Sequence, residues 1–291
     1  MSSGVNRDRL RSVRFTQPST IAQAAASRVR PGPLRESDRL LIIAADHPAR
    51  GAIGIGSSPM AMADRYDLLD RLVTALSVPG VNGLLGTPDI VEDLLLLGVL
   101  DGKYVFGSMN RGGFLGAVFE LDDRFTAYSV PTIVKSGLEG GKMLLRLNFG
   151  DAATAATVES CAAAISDLAS AGRIAMIEPF LNRMENGRPR NDLSPDAVIQ
   201  SMAIASGLGS TSAFTWLKIP VVDDMERVVA AATQPLVLLG GERDGRPEEM
   251  FTRWSRALNL PGVRGLAVGR NLLYPADDNV EGAVSAAVAM L

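Results

Sequence analysis

The stretch that decides the fold spans residues 214–240 and runs FTWLKIPVVDDMERVVAAATQPLVLLG. It begins with the apolar run Phe214–Pro220, passes through an amphipathic segment at Asp223–Ala232, and ends in a second apolar run at Leu236–Gly240. Short runs that are apolar throughout, rather than alternating, are typical of parallel strands covered on both faces. Two aspartates at the start of the amphipathic segment supply helix-capping side chains. The stretch therefore predicts a strand, a helix and a second strand parallel to the first.

This unit repeats along most of the chain. Eight apolar runs predict strands, at Leu40–Ala45, Val81–Gly86, Tyr104–Ser108, Met143–Asn148, Ile174–Pro179, Phe214–Pro220, Leu236–Gly240 and Gly265–Gly269. Helical periodicity lies between and after them, at Asp64–Leu76, Asp89–Leu97, Ala152–Ala171, Pro195–Ala205, Asp223–Ala232, Pro247–Leu258 and Asn279–Met290. Eight strands that alternate with helices over roughly 250 residues predict an α/β fold, a single closed (β/α)8 TIM barrel. A doubly wound open sheet is the alternative, but the Gly-x-Gly-x-x-Gly fingerprint after its first strand is missing.

Two segments depart from the repeat. Residues 1–38 are rich in Arg and Ser, lack the apolar core of a signal peptide, and predict an N-terminal arm on the barrel or on a neighbouring subunit. Residues 39–291 are predicted to form the barrel itself. Asn110–Gly141, after strand three, is too long for a simple connection and predicts an insertion, with a short hairpin or helix above the barrel mouth.

Composition narrows the class of function. A hydrophobic share of 47 % and a charged share of 21 % describe a soluble globular protein. A net charge of −3 gives no electrostatic reason to expect nucleic acid or an anionic membrane as partner. The single cysteine, Cys161, excludes an intrachain disulfide framework and suits a reducing cytosol, so we expect a cytoplasmic protein. With one histidine and one cysteine, a His/Cys metal site is disfavoured, and we expect no cofactor.

Lys218 is the most informative residue, because the chain almost never uses lysine. Four of the 29 basic residues are lysines, and the other 25 are arginines. An arginine does not lose its proton in a protein, whereas an amine in an apolar strand can become a neutral nucleophile. Lys218 is therefore a candidate Schiff-base lysine, and a strand-end lysine that pairs with a carboxylate is the alternative interpretation.

The chemistry of such barrels sits at the carboxyl ends of the strands. Asp46 follows strand one, and His47, one step out of phase, is interpreted as structural or as part of the rim. The period of two along a strand places Lys142 on one face with Arg146, and Trp216 on one face with Lys218. Candidate catalytic or substrate-binding residues at these ends are Asp46, Lys142, Arg146, Glu178, Trp216 and Lys218.

Glycines and an arginine close the last two strands. Gly240-Gly241 follows strand seven, and Gly269-Arg270 follows strand eight. Backbone N–H groups of glycines can approach an anion closely, and an arginine adds a charge-assisted fork. These four residues predict a phosphate-binding site, a common feature at these two strand ends of TIM barrels. Tight-turn glycines are the structural alternative.

Several of these motifs resemble the class I aldolase superfamily. They are Trp-Leu-Lys-Ile-Pro-Val at 216–221, Pro-Leu-Val-Leu-Leu-Gly-Gly at 235–241 and Gly-Leu-Ala-Val-Gly-Arg-Asn at 265–271. The resemblance runs from Ala44-Ala-Asp-His47 to the C-terminus and covers the tagatose-bisphosphate, deoxyribose-phosphate and archaeal-type fructose-bisphosphate aldolases. Gly-Gly-Lys142-Met-Leu-Leu and Ile-Glu178-Pro are most similar to the tagatose-bisphosphate branch. The motif set also resembles proteins associated with inositol catabolism.

The resemblance implies a metal-independent lyase in which Lys218 forms a Schiff base. Lys142 and Glu178 would flank the imine, and Asp46 would contact substrate hydroxyl groups. The implied reaction makes or cleaves a carbon–carbon bond in a phosphorylated keto sugar or keto acid, giving dihydroxyacetone phosphate and an aldehyde, in a homo-oligomer. Two features depart from the family, namely Pro48 in place of a glycine and the Asn110–Gly141 insertion. A non-catalytic phosphosugar-binding barrel and another phosphate-handling barrel enzyme are the alternatives.

Overall fold

Eight parallel strands close into a barrel in the computed structural model, which describes residues 6–241 and 247–291. Neighbouring strands of the barrel pair in chain order, and the last barrel strand pairs with the first to close the ring. The strands are β1 (Leu40–Ala45), β2 (Gly83–Gly86), β3 (Tyr104–Ser108), β4 (Gly140–Leu147), β5 (Ile174–Glu185), β7 (Thr215–Ile219), β8 (Leu236–Leu239) and β9 (Val263–Val268), with β6 (Arg188–Asn191) outside the barrel. The predicted TIM barrel is confirmed.

Helices cover the outside of the barrel. They are α1 (Arg7–Thr16), α2 (Ser19–Ser27), α3 (Arg65–Ser77), α4 (Pro88–Leu96), α5 (Val130–Lys135), α6 (Ala153–Ser170), α7 (Pro195–Ser206), α8 (Met225–Val229), α9 (Pro247–Leu258), α10 (Arg270–Leu273) and α11 (Val280–Val288). Helix α8 is shorter than its predicted range of Asp223–Ala232, because Asp224 takes the left-handed backbone conformation (φ 53°) and cannot continue a helix. No helix of the described residues has both the length and the hydropathy needed to cross a bilayer.

Alternation along the strands divides the apolar residues into two cores. One set points outward and packs beneath the helices, as Leu41 and Ile43 do. The other set fills the lower interior of the barrel, where Phe106, Met176 and Trp216 pack together. The next inward positions toward the carboxyl ends of the strands are polar, and this change of character places the candidate site.

The insertion after β3 ends earlier than the sequence predicted. Residues 109–129 contain no regular strand or helix, α5 follows, and Gly140 and Gly141 already belong to β4. Glycine is required at Gly140 because a Cβ there would overlap the carbonyl oxygen of Ile174 on the paired strand. The predicted strand start at Met143 was therefore three residues late, and Lys142 lies within the strand.

Strand β5 continues beyond its predicted end at Pro179. It runs to Glu185, turns, and pairs antiparallel with β6, so that Asn182 lies opposite Asn191. The turn residues Asn186 and Gly187 both have positive φ, as the tight turns of two-residue hairpins require. This hairpin projects past the mouth of the barrel.

The described part of the N-terminal arm lies on the barrel of its own chain. Arg14 in α1 pairs with Asp93 in α4 at 2.8 Å. Farther along, Arg28 donates hydrogen bonds to the carbonyl oxygens of Lys103 and Gly137, at the end of the barrel where the strands begin. The arm is thus attached at the end opposite the predicted site.

Candidate active site

Lys218 and Glu178 meet at the carboxyl end of neighbouring strands. The register between β5 and β7 pairs Met176 with Trp216, which sets the next inward pair, Glu178 and Lys218, side by side. Lys218 Nζ donates a hydrogen bond of 2.5 Å to Glu178 Oε1. Both residues are buried, Lys218 at 3 % exposure and Glu178 at 8 %. The structure therefore brings the predicted Schiff-base lysine into contact with the predicted carboxylate.

Lys142 extends this pair into a chain of alternating charges. Its ammonium forms an ion pair with the other oxygen of Glu178, Oε2, and donates a hydrogen bond of 3.2 Å to Asp46 Oδ2. Lys142 is 1 % exposed, so it meets these carboxylates inside the barrel. The four predicted catalytic residues consequently form one connected group, in the order Lys218, Glu178, Lys142, Asp46.

The electrostatics of the group keep both carboxylates ionised. Burial alone would raise the pKa of Asp46, but the charges of Arg111 and Lys142 together hold it well below its usual value. Burial likewise opposes ionisation of Glu178, yet the two lysines lower the pKa of this carboxyl to about 2. Each carboxylate is therefore charged at neutral pH.

The pKa of Lys218 is lowered, which favours its neutral amine. Burial lowers its pKa first, the adjacent charge of Glu178 raises it, and the charge of Lys142 lowers it again, with a net downward direction. An uncharged amine is the form that attacks a carbonyl carbon. The geometry thus favours nucleophilic chemistry at Lys218, with a carboxylate in place to take up or return a proton.

Two buried polar residues of the site were missed by the sequence analysis. Ser108, the last residue of β3, donates a hydrogen bond of 3.1 Å to Asp46 Oδ2. Arg111, three residues farther on, places Nη1 at 3.4 Å from the same oxygen. The signal that would have found them is the carboxyl end of strand three, the same rule that located Asp46 and Glu178.

His47 lies at the rim, as interpreted from its phase. Its Nδ1 is 3.6 Å from Asp46 Oδ1, and its side chain is 27 % exposed. The pKa of His47 is lowered to about 3, chiefly by burial. The charge of Asp46 opposes this shift, and the charge of Arg270 adds to it. The imidazole is therefore neutral at physiological pH.

Arg146 and Trp216 lie away from the connected group. Arg146 shares the inward face of β4 with Lys142, but its guanidinium is bound to Asp123 of the insertion by hydrogen bonds of 2.7 and 2.6 Å. Trp216 packs one layer below Lys218, with its ring 5.9 Å from that of Phe106. The prediction that these two side chains bind substrate finds no support in this geometry, because ion pairing and core packing already occupy them.

The glycines predicted to bind phosphate have mixed roles. A Cβ at Gly240 would overlap Val268, and one at Gly269 would overlap the carbonyl oxygen of Ala44, so close strand packing accounts for both. Gly241 differs, since it has φ 71° and no described atom lies within 4 Å of the position that a Cβ would take. Asn271 ties the two loops together by donating a hydrogen bond of 2.8 Å to the carbonyl oxygen of Gly240.

Arg270 contributes a positive charge to this region. It is partly exposed, and among residues 6–241 and 247–291 no carboxylate lies within ion-pair distance of its guanidinium. The cations Lys142, Arg111 and Arg270 outnumber the carboxylates Asp46 and Glu178 even when the Lys218 amine is neutral. Such a mouth favours an anionic ligand.

Apolar side chains line the same opening. A small buried cluster consists of Leu144, Phe180 and Leu239. Leu144 and Phe180 each lie two residues beyond a residue of the connected group, toward the mouth. A separate cavity of about 380 Å³ lies between residues 147–150 and the β5–β6 hairpin, and none of the four connected residues lines it. The described residues hold no group of three or more His, Cys, Asp or Glu side chains placed to bind a metal ion.

Comparisons with known proteins give one family match and several structural matches. The Cgl0159-like family model matches residues 38–288. The chain is similar to the crystal structure of Cgl0159 from Corynebacterium glutamicum, with a TM-score of 0.95 and 52 % identity, over 97 % of this chain and 95 % of that one. No curated protein matches the chain.

More distant structures share the barrel. One is an archaeal fructose-1,6-bisphosphate aldolase with its catalytic Lys covalently bound to the carbinolamine intermediate of the substrate, with a TM-score of 0.67, 18 % identity, and coverage of 93 % of this chain and 98 % of that one. Another is a fructose-bisphosphate aldolase from Slackia heliotrinireducens, with a TM-score of 0.61, 15 % identity, and coverage of 99 % and 93 %. At these identities the similarity shows a common fold.

Proposed function

The chain belongs to the Cgl0159-like family, and we propose that it is a class I aldolase in which Lys218 forms an imine with the ketone of a phosphorylated keto sugar or keto acid. The observation that carries this proposal is the buried chain of alternating charges, with the Lys218 amine 2.5 Å from Glu178 and Lys142 on the other oxygen of that carboxylate. The distant barrels that share the fold include a Schiff-base-forming aldolase, which is consistent with this chemistry.

Imine formation requires proton transfer at Lys218, and Glu178 is placed for it. The neutral amine attacks the ketone carbon, and the carbonyl oxygen takes a proton to give a carbinolamine. Loss of that hydroxyl as water, after a second proton transfer, leaves a protonated imine. Glu178 contacts both amines, so it can pass a proton between Lys142, the carbinolamine and Lys218.

Cleavage then uses the imine as an electron sink. A base removes the proton from the hydroxyl on the carbon that leaves, the carbon–carbon bond breaks, and the electron pair moves into the imine to form an enamine, releasing an aldehyde. The pKa of each carboxyl is lowered, so position rather than basicity distinguishes the two. Glu178 contacts the Lys218 amine, whereas Asp46 contacts Lys142. We assign proton removal to Glu178 and binding of a substrate hydroxyl to Asp46.

The phosphate of the ketone-bearing end is assigned to the loops after β8 and β9. Arg270 supplies a cation with no carboxylate partner among residues 6–241 and 247–291, and Gly241 has a positive φ of 71° at the start of the neighbouring loop. This placement gives remote binding energy that positions the ketone over Lys218. Dihydroxyacetone phosphate is then the product that stays bound as the enamine. A role in inositol catabolism, a cytoplasmic location and a homo-oligomeric state stay predictions.

Borohydride trapping tests the proposal. Incubating the protein with dihydroxyacetone phosphate and sodium borohydride should reduce the imine and give a stable mass increment, located on Lys218 by peptide mass spectrometry. The Lys218→Met variant should lose the increment, whereas Lys135→Met, a change in helix α5 away from the site, should keep it. An adduct on Lys142 would exchange the roles of the two lysines. No adduct with this or related keto phosphates would refute the imine mechanism and favour a binding protein.

A further inference from the structure

Arg111 is a buried cation that the proposed mechanism does not use. It lies in the insertion, three residues after the end of β3, and is 5 % exposed. Its Nη1 reaches Asp46 Oδ2 at 3.4 Å, the same oxygen that accepts hydrogen bonds from Ser108 and Lys142. The guanidinium therefore stands directly at the connected catalytic group.

The pairing of Arg111 with Asp46 leaves donors unused. Asp46 offers one oxygen to three donors, so the contact is single and not the two-bond fork that an arginine forms with a free carboxylate. The Nε of Arg111 is buried and has no hydrogen-bond partner among the residues that the structure describes. Buried N–H groups of charged side chains are costly to leave unpaired, and anionic oxygens of a ligand would satisfy them.

The backbone of Arg111 follows a strand on the other side of the barrel from the loop of Gly241. The strand order around the ring is β1, β2, β3, β4, β5, β7, β8, β9. In this order β3 stands four places from β8, which is directly opposite in a ring of eight. The loops that carry Gly241 and Arg270 follow β8 and β9, so the two cations approach the site from different strands, and the guanidinium of Arg111 ends beside Asp46.

The insertion holds the loop of Arg111 in place. The backbone N–H of Leu115 bonds to the carbonyl of Arg50, and Arg50 Nε donates to the carbonyl of Gly113 at 2.8 Å. The side-chain amide of Asn110, two residues past the end of β3, donates to and accepts from the backbone of Leu144 in β4. A preformed arginine needs little reordering when it meets a ligand.

We propose that Arg111 is a substrate-binding residue that selects an aldehyde bearing an anionic group, either a carboxylate or a phosphate. This inference rests on the proposed aldolase function. The ketone-bearing half of the substrate lies toward Arg270, and the carbon–carbon bond to be made or broken lies at Lys218. The anionic group of the aldehyde half then pairs with the Nε edge of Arg111, while its hydroxyl or carbonyl oxygen meets Asp46.

Matched aldehyde pairs test this selection in the synthetic direction. With dihydroxyacetone phosphate as donor, glyceraldehyde 3-phosphate is compared with glyceraldehyde, and succinate semialdehyde with butanal. The wild type should prefer the anionic member of at least one pair, and the preferred pair identifies the group as phosphate or carboxylate. Arg111→Ala should lower kcat/KM for the anionic aldehyde roughly 10- to 100-fold more than for its neutral partner, since a charge-assisted hydrogen bond is lost.

Two further variants make the outcome specific. Arg111→Lys should restore part of the preference, because it keeps the charge but not the fork. Arg124→Ala is the matched control, since Arg124 lies in the same insertion with its side chain 80 % exposed, and it should change neither pair. Equal losses for anionic and neutral aldehydes in Arg111→Ala would overturn the proposal and leave Arg111 as a positioning residue for Asp46.

A second measurement does not depend on turnover. The wild-type protein, with its Lys218 adduct of dihydroxyacetone phosphate reduced by borohydride, has the donor side filled, so calorimetry with the four aldehydes reports on the remaining site. Stronger binding of an anionic member supports Arg111 as its ligand, and equal binding overturns it. Failure to form the adduct at all would instead refute the aldolase function, so the two failures are distinguishable.

Discussion

At the scale of single residues, Glu178 explains why two lysines can share a buried site. Each oxygen of this carboxylate faces a different amine, and Lys142 gains a second anion in Asp46. Two uncompensated ammonium groups in a barrel interior would be prohibitively costly. The carboxylates remove most of that cost, and burial, reinforced by the charge of Lys142, still lowers the pKa of Lys218.

Removing the charge of Glu178 and removing that of Lys142 should shift the pKa of Lys218 in opposite directions. Glu178 raises the pKa of Lys218 and Lys142 lowers it. Glu178→Gln should therefore lower that pKa further and shift the acidic limb of the trapping rate to lower pH, whereas Lys142→Met should shift it to higher pH. Aldol turnover should fall about 10²- to 10⁴-fold in Glu178→Gln, as expected for loss of a proton-transfer group.

The measurement is the pH dependence of borohydride trapping by mass spectrometry, with turnover assayed in parallel. Glu185→Gln is the control, because Glu185 lies on the same strand but in the exposed hairpin, paired with Arg183. Shifts in the same direction for both site variants would show that Lys218 does not titrate in the field of these two groups.

Residue identities at the site followed from strand ends more readily than their contacts did. Asp46, Glu178 and Lys218 are polar residues that interrupt or terminate apolar runs, so a single sequence shows them. Arg111 begins a connection with no periodicity, and nothing in the sequence pairs it with Asp46, 65 positions earlier. The pairing arises from the parallel sheet, because β1 and β3 flank β2 and end at the same edge.

At the scale of elements, the boundaries that failed have local physical causes. The hairpin after β5 was missed because Asn182–Asn191 carries arginines and asparagines in place of an apolar run, although Asn186-Gly187 is a strong turn signal. The predicted insertion was too long because Gly140-Gly141 was interpreted as a loop. These two glycines instead allow close packing of β4, which a sequence pattern does not reveal.

The insertion is anchored by a buried ion pair that should dominate its stability. Arg146 is 5 % exposed and binds Asp123, which is fully buried. Arg146→Met leaves Asp123 as an uncompensated buried charge and should lower the free energy of unfolding by about 3–5 kcal/mol. Removing both charges, in Arg146→Met with Asp123→Leu, should recover part of that loss.

Urea unfolding followed by circular dichroism measures these changes. The exposed pair of Arg124 with Asp122 in the same insertion is the control, and Arg124→Ala should change the free energy of unfolding by less than about 0.5 kcal/mol. A small effect of Arg146→Met on stability, together with a raised KM for the keto phosphate, would instead return Arg146 to the role of substrate ligand.

At the scale of the whole molecule, the two ends of the barrel are held by different parts of the chain. The mouth with the lysines is covered by the connections after the strands, chiefly the insertion. The opposite end is held by the arm, where Arg28 binds both oxygens of Glu139 at 2.9 and 3.1 Å. Glu139 also accepts the backbone N–H of Val105, so the arm, β3 and the start of β4 converge on one carboxylate.

This separation predicts a variant that loses stability and keeps its chemistry. The Arg28 side chain is 2 % exposed, and Arg28→Met removes its charge from Glu139 and leaves two backbone carbonyls without their donor. We expect the free energy of unfolding to fall by roughly 3 kcal/mol, the lower end for a broken buried pair, since Arg30 still binds Glu139. Borohydride trapping at Lys218 should keep its wild-type rate at 25 °C, because the change lies at the far end of the barrel.

Arg30→Ala is the control on the same carboxylate, and with a side chain 47 % exposed it should cost less than about 1 kcal/mol. A trapping rate that falls together with stability in Arg28→Met would show that the arm and the catalytic mouth are coupled through β3 and β4.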